Sequence, residues 1–238
     1  TSDHKYGIKN VMDTLHKVAR QLVAYTKGIL AADESTNTAN KRFAALGIEQ
    51  TEEMRRQYRQ LLFSTPGIEE FLSGVILFDE TIRQKDDEGV LFVQLLSAKG
   101  IIPGIKVDEG TLDFEGHPGE KVTQGLEGLE ERLKEYYMMG ARFTKWRAVI
   151  GIGDGIPTQA AIEENSRILA EYAVASQAGG FVPIGEPEVL LTGDHTIEKA
   201  EEVTTRTLQA VFEALEKKGV DLAGLILKSS MVLSGKEC

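Results

Sequence analysis

Ala141-Arg142-Phe143-Thr144-Lys145-Trp146-Arg147-Ala148-Val149-Ile150 is an apolar run with two cations set inside it. Read as a β-strand, its side chains alternate, so Phe143, Lys145 and Arg147 share one face and Thr144, Trp146 and Ala148 the other. Burying an unpaired charge costs on the order of several kcal/mol, so two cations aimed the same way need countercharge, water or a ligand in front of them.

Outward from this run the same grammar repeats. Short apolar stretches at residues 28–33, 74–78, 101–107, 181–186 and 222–228 read as further strands. Runs this continuously apolar suit parallel strands covered on both faces. Between them lie helical patterns with readable ends. Residues 124–139 stop at Gly140; Thr158 can cap a helix to Gln177 that Gly179-Gly180 closes; Thr196 can cap another from Ile197 to Lys218, with Gly219 beyond. An amphipathic helix with Val11, Leu15, Val18, Leu22 and Val23 on one face leads the chain. Unbroken strand-helix alternation predicts an α/β protein, a (β/α)8 TIM barrel with about six of its eight βα units in one domain over residues 1–238. A doubly wound open sheet is the runner-up. It is disfavoured because no Gly-x-Gly-x-x-Gly turn follows the first strand, and Gly151-Ile152-Gly153-Asp154-Gly155 runs into Pro157 with no Walker lysine.

Composition narrows the function classes. The 238 residues are 42% apolar and carry a net charge of -10, which argues against a nucleic-acid partner, because binding that backbone needs a positive face. No apolar run is long enough to cross a bilayer. The single cysteine, Cys238, excludes an intrachain disulfide framework and any multi-cysteine metal site, as suits a cytoplasmic protein. The four histidines, His4, His16, His117 and His195, are scattered without ligand spacing, so neither metal nor cofactor is expected.

Nearly every predicted strand ends on ionisable groups: Asp33, Asp79 with Glu80, Lys106, Lys145 with Arg147, Glu186 with Glu188, and Lys228. In parallel barrels this carboxyl rim carries the active site. For one pair a structural salt bridge is the better reading; several strands ending alike favour a site. Lys228, directly after Leu225-Ile226-Leu227, either snorkels from a buried strand or is an amine nucleophile. Desolvation and a neighbouring cation such as Lys145 favour the neutral amine that the second role needs. Ser35 and Thr38 open a helix carrying Lys41 and Arg42. They are either plain caps beside a solvated face or donors for a phosphate.

The block Gly-Ile-Leu-Ala-Ala-Asp-Glu-Ser-Thr at 28–36 resembles the first-strand motif of class I fructose-bisphosphate aldolases. Gly-Val-Ile-Leu-Phe (74–78), Gly-Ile-Lys-Val-Asp (104–108), Thr-Gln-Gly-Leu-Glu-Gly-Leu (123–129), Lys-Trp-Arg (145–147) and Glu-Pro-Glu (186–188) follow in the family's order and spacing. The similarity runs from about Ala19 to Val232. The resemblance implies a metal-free lyase of glycolysis and gluconeogenesis that cleaves fructose 1,6-bisphosphate reversibly through a lysine Schiff base. It also implies a homotetramer with a phosphorylated sugar as its substrate partner.

In that scheme Lys228 forms the imine, Glu186 is the acid-base, Asp33 assists carbon-carbon cleavage, Lys145 stabilises charge and Glu188 balances Lys145 and Lys228. Ser35, Thr38, Arg42, Lys106 and Arg147 contact substrate phosphates or hydroxyls. Departures fall at Gly185, where the family has a bulkier residue, at Ser229-Ser230, where it has Pro-Asn, and at Asp79, often His. Family chains continue for roughly another third, supplying strands seven and eight, a Ser-Gly-Gly phosphate loop, an arginine and a tail ending in tyrosine. On that ground residues 1–238 alone are expected to be inactive or nearly so. The alternatives are a catalytically silent, aldolase-derived scaffold and a transaldolase-like iminium enzyme.

Overall fold

The computed structural model describes residues 2–238, with side chains from residue 12 onward. His4 and Val11 lie outside the described side chains. The helices are α1 (Ser2–Leu22), α2 (Thr36–Ala45), α3 (Glu52–Ser64), α4 (Asp79–Ile82), α5 (Phe92–Ala98), α6 (Leu129–Met139), α7 (Gln159–Ala178) and α8 (Ile197–Lys217). The strands are β1 (Gly28–Ala32), β2 (Leu72–Leu77), β3 (Ile102–Lys106), β4 (Thr111–Asp113), β5 (Lys121–Thr123), β6 (Phe143–Ile150), β7 (Val182–Val189) and β8 (Ile226–Leu227). Six of them form one sheet in the order β1-β2-β3-β6-β7-β8, and β4 and β5 form a separate antiparallel pair. The chain divides into two compact units, Thr1–Lys106 with Lys134–Thr144, and Val107–Leu133 with Lys145–Cys238.

In the first unit β1 runs parallel to β2, with Gly28 beside Leu72 and Ala32 beside Leu77, and β2 parallel to β3, with Leu77 beside Ile105. Parallel strands need apolar cover on both faces, and Val75, Ile76, Leu77, Phe63, Phe92 and Phe143 are buried there. Phe63 and Phe92 meet edge to face at 5.3 Å. Gly104 is required by a close approach, because a Cβ at that position would collide with the Phe143 ring. The amphipathic reading of α1 holds for Leu15 and Leu22, which are buried, but Val23 lies past the helix and is exposed. Asp79 and Glu80 are engaged in structural pairs: Arg83 and the Tyr136 hydroxyl hold Asp79, and Arg55 grips Glu80 with two bonds of 2.7 Å.

In the second unit the even-numbered face of β6 packs on α7, where Trp146 meets Tyr172 at 5.2 Å. That contact settles the alternation and turns Lys145 and Arg147 to the opposite face. The α7 and α8 caps fall on Thr158 and Thr196, whose hydroxyls accept the Ala161 and Lys199 amides. The last strand is shorter than its apolar run suggests. Residues Leu222–Gly224 form a 3-10 turn capped by Asp221, leaving only Ile226 and Leu227 in β8. The Gln177 amide holds this turn through the Asp221 and Gly224 carbonyls and the Asp221 amide, so the backbone needs no longer ladder. The β4-β5 hairpin has no counterpart in the sequence-based expectation: three-residue polar strands give no apolar signal.

Candidate active site

Lys145 lies mid-strand in β6, Glu186 in β7, and Lys228 directly after β8, its amide donating to Gly185 O at 2.9 Å. The Glu186 carboxylate stands between both ammoniums. Its Oε2 is 2.8 Å from Lys145 Nζ, and its Oε1 accepts from Lys228 Nζ. The three differ in depth: the side chains of Lys145 and Glu186 are 7% and 8% exposed, that of Lys228 42%. Burial pushes the Glu186 carboxyl up, but the combined pull of Lys145, the larger, and Lys228 outweighs it and holds the group below its ordinary range. The acid is thus kept as carboxylate in a desolvated place, and the amine it touches is the member a ligand can reach.

The Glu188 carboxylate pairs with Arg147, one pleat further along the strands, while the Glu186 carboxylate pairs with both Lys145 and Lys228. The Arg147 backbone is clamped by side chains: its amide donates to Asp108 Oδ2 at 3.2 Å and its carbonyl accepts from Thr123 Oγ1 at 2.8 Å. The β4-β5 hairpin thus helps to fix the Arg147 backbone through Thr123, which no reading of Thr123 in sequence indicated.

In the first unit Asp33 is buried directly after β1 and Lys106 is half-buried at the end of β3. Both sit at carboxyl ends of parallel strands, as the pattern of charged strand ends predicted. Ser35 caps α2, accepting the Thr38 amide at 3.4 Å, and its hydroxyl meets the Thr38 hydroxyl at 3.1 Å. Arg42 points into solvent with its guanidinium on Glu34. Glu34 and Arg59 are the residues that sequence reasoning missed here. Their signal was the Arg55, Arg59, Phe63 stripe in α3, all three buried at helical spacing, where two arginines within an apolar face demand carboxylates.

The family model for fructose-bisphosphate aldolase class-I, described as glycolytic, matches residues 14–238. The chain belongs to the class I fructose-bisphosphate aldolase family. It is 56% identical over 227 residues to a probable fructose-bisphosphate aldolase class 1 of Xanthomonas axonopodis pv. citri, a match covering 95% of this chain and 68% of that protein. With fructose-bisphosphate aldolase 6, cytosolic, of Arabidopsis thaliana it shares 54% identity over 211 residues, covering 89% of this chain and 59% of the relative. The solved aldolase of Plasmodium falciparum, in complex with TRAP and a small-molecule inhibitor, superposes with a TM-score of 0.94 at 50% identity, over 96% of this chain and 67% of its own. The six-stranded sheet is thus part of the aldolase (β/α)8 barrel. Among the described residues, no helix is long and apolar enough to cross a membrane.

Proposed function

We propose that this chain carries the Schiff-base site of a class I fructose-bisphosphate aldolase, acting in the cytoplasm as part of a homotetramer. The reading is carried by one observation, the buried Glu186 carboxylate set between the Lys145 and Lys228 ammoniums. A carboxylate held ionised accepts the Lys228 proton, and the free amine attacks the C2 ketone of fructose 1,6-bisphosphate. Glu186 returns a proton to the carbinolamine hydroxyl, water leaves, and the iminium forms at C2. The iminium is the electron sink for breaking C3-C4 as Asp33 takes the C4 hydroxyl proton. Glyceraldehyde 3-phosphate departs, the enamine is protonated at C3, and hydrolysis frees dihydroxyacetone phosphate. Lys145 favours the return of Glu186 to its carboxylate form after each proton transfer. Arg147, kept in place by Glu188, joins Ser35, Thr38, Arg42 and Lys106 in binding phosphates and hydroxyls.

Borohydride reduction in the presence of fructose 1,6-bisphosphate is expected to attach a triose phosphate to Lys228, mapped by peptide mass; attachment at another lysine would overturn the assignment. Residues 1–238 alone are proposed to turn over far more slowly, per mole, than a chain extended to the relatives' length, because the phosphate loop and arginine implied by the resemblance are not among them.

A further inference from the structure

Glu34 follows Asp33 at the end of β1 and has no role in the chemistry above. Its carboxylate is divided between two arginines on different helices. Oε1 pairs with Arg42 Nη1 from α2, and Oε2 with Arg59 Nη1 from α3 at 2.6 Å. Arg59 Nη2 also donates to the Glu34 carbonyl at 3.0 Å. The two guanidiniums differ in freedom. The Arg59 side chain is 3% exposed and lies 5.1 Å from the Tyr58 ring centroid, whereas Arg42 is 63% exposed. Burial pushes the Glu34 carboxyl up, but Arg59 foremost, then a backbone hydrogen bond and last Arg42 outweigh it and hold the group below its ordinary range.

Resting on the reading of Arg42 as a phosphate ligand, we infer that Glu34 is a displaceable counterion that holds Arg42 in the empty protein and yields it to an incoming phosphate. Arg59 keeps the Glu34 charge paired once Arg42 has left. An exposed ion pair is weak and exchanges readily, whereas a phosphate offers a guanidinium two parallel bonds. Leaving Glu34 unpaired in a half-buried place would oppose the exchange, and the fixed Arg59 removes that cost. Arg59 also sets how hard Glu34 pulls: sharing the carboxylate loosens its hold on Arg42. Removing Glu34 and removing Arg59 should therefore move phosphate affinity in opposite directions. A merely structural network would weaken the site in both cases.

The test is inorganic phosphate binding to the full chain by titration calorimetry, with thermal unfolding of every variant as the control. Glu34→Gln is expected to bind phosphate about two- to fivefold more tightly and Arg59→Met more weakly by a similar factor. Arg42→Met should lose about tenfold or more, and Glu34→Gln should have no further effect in that background. Because Glu34→Gln leaves buried Arg59 without its carboxylate, the double variant E34Q/R59M removes both charges together and is also expected to bind more tightly than wild type. Weaker or unchanged binding by E34Q/R59M, with Arg42→Met still losing affinity, overturns the counterion role. Unchanged binding by Arg42→Met overturns the phosphate role of Arg42 itself, and the inference with it.

Discussion

Replacing Lys145 by Met removes the larger of the two cations on Glu186 while leaving the proposed nucleophile in place. The charges face each other at 2.8 Å with both side chains under a tenth exposed. At that separation and an effective dielectric near 20 the gross attraction is about 6 kcal/mol, of which desolvating both ions takes back several. Lys228 remains beside the carboxylate but is 42% exposed, and such pairs contribute about 0 to 1 kcal/mol. The expected net loss for Lys145→Met is therefore about 2 to 4 kcal/mol at pH 7, read as a lowered urea midpoint with unchanged slope. The sign with pH follows. The wild-type carboxyl titrates below its unfolded value of 4.5, so its stabilisation is present above that pH and lost as pH falls through the folded value. The gap between wild type and variant should thus be full at pH 7 and close in acid. With Lys145 gone, burial is opposed by Lys228 alone and the carboxyl moves up. If Glu186 accepts the Lys228 proton, the acid limb of the borohydride trapping rate must then move to higher pH. An unmoved limb together with a stability loss under about 1 kcal/mol would refute the reasoning.

Two glycines within strands give opposite predictions. Gly185 in β7 has no positive φ, and a Cβ there would sit 3.8 Å from Leu169 Cδ2, an ordinary contact. Gly185→Ala is expected to stabilise by about 0.4 to 1 kcal/mol through the unfolded chain; a lowered Tm would contradict it. Gly104→Ala drives a Cβ into the Phe143 ring, which is fully buried, and should cost about 1 to 3 kcal/mol. Phe143→Leu in the same chain should return part of that loss in a double-mutant cycle; strictly additive losses would show that the ring is not the obstacle.

What could be read from sequence was whatever depends on local period and local capping. The Lys145 and Arg147 alternation follows from the pleat alone, and the Thr158 and Thr196 caps from the side chains beside their helices. The last strand was placed correctly but its length was not, because that length is decided by Gln177, more than forty residues away, whose amide takes up the turn's polar groups. Arg59 hid for the same reason, as its carboxylate partner is 25 residues distant.

The pairing of the charged residues is the instructive case. Glu186 and Glu188 are two apart on one face of β7, as Lys145 and Arg147 are on β6, so either carboxylate could in principle serve either cation. In parallel strands the partners advance together, and a single register links both pairs: Lys145 with Glu186 and Arg147 with Glu188 are each 41 residues apart in sequence. That register is set by burial along whole strands, with Leu190 N bonded to Ile150 O at 2.9 Å and Val189 packed on Ile150 and Val203. A slip of two residues would keep every side chain on its face, yet hand Glu188 to Lys145 and leave Glu186 facing Phe143. Apolar packing at the far end of β6 and β7 therefore decides which carboxylate is buried between the lysines, and so which one takes the place of the proposed acid-base.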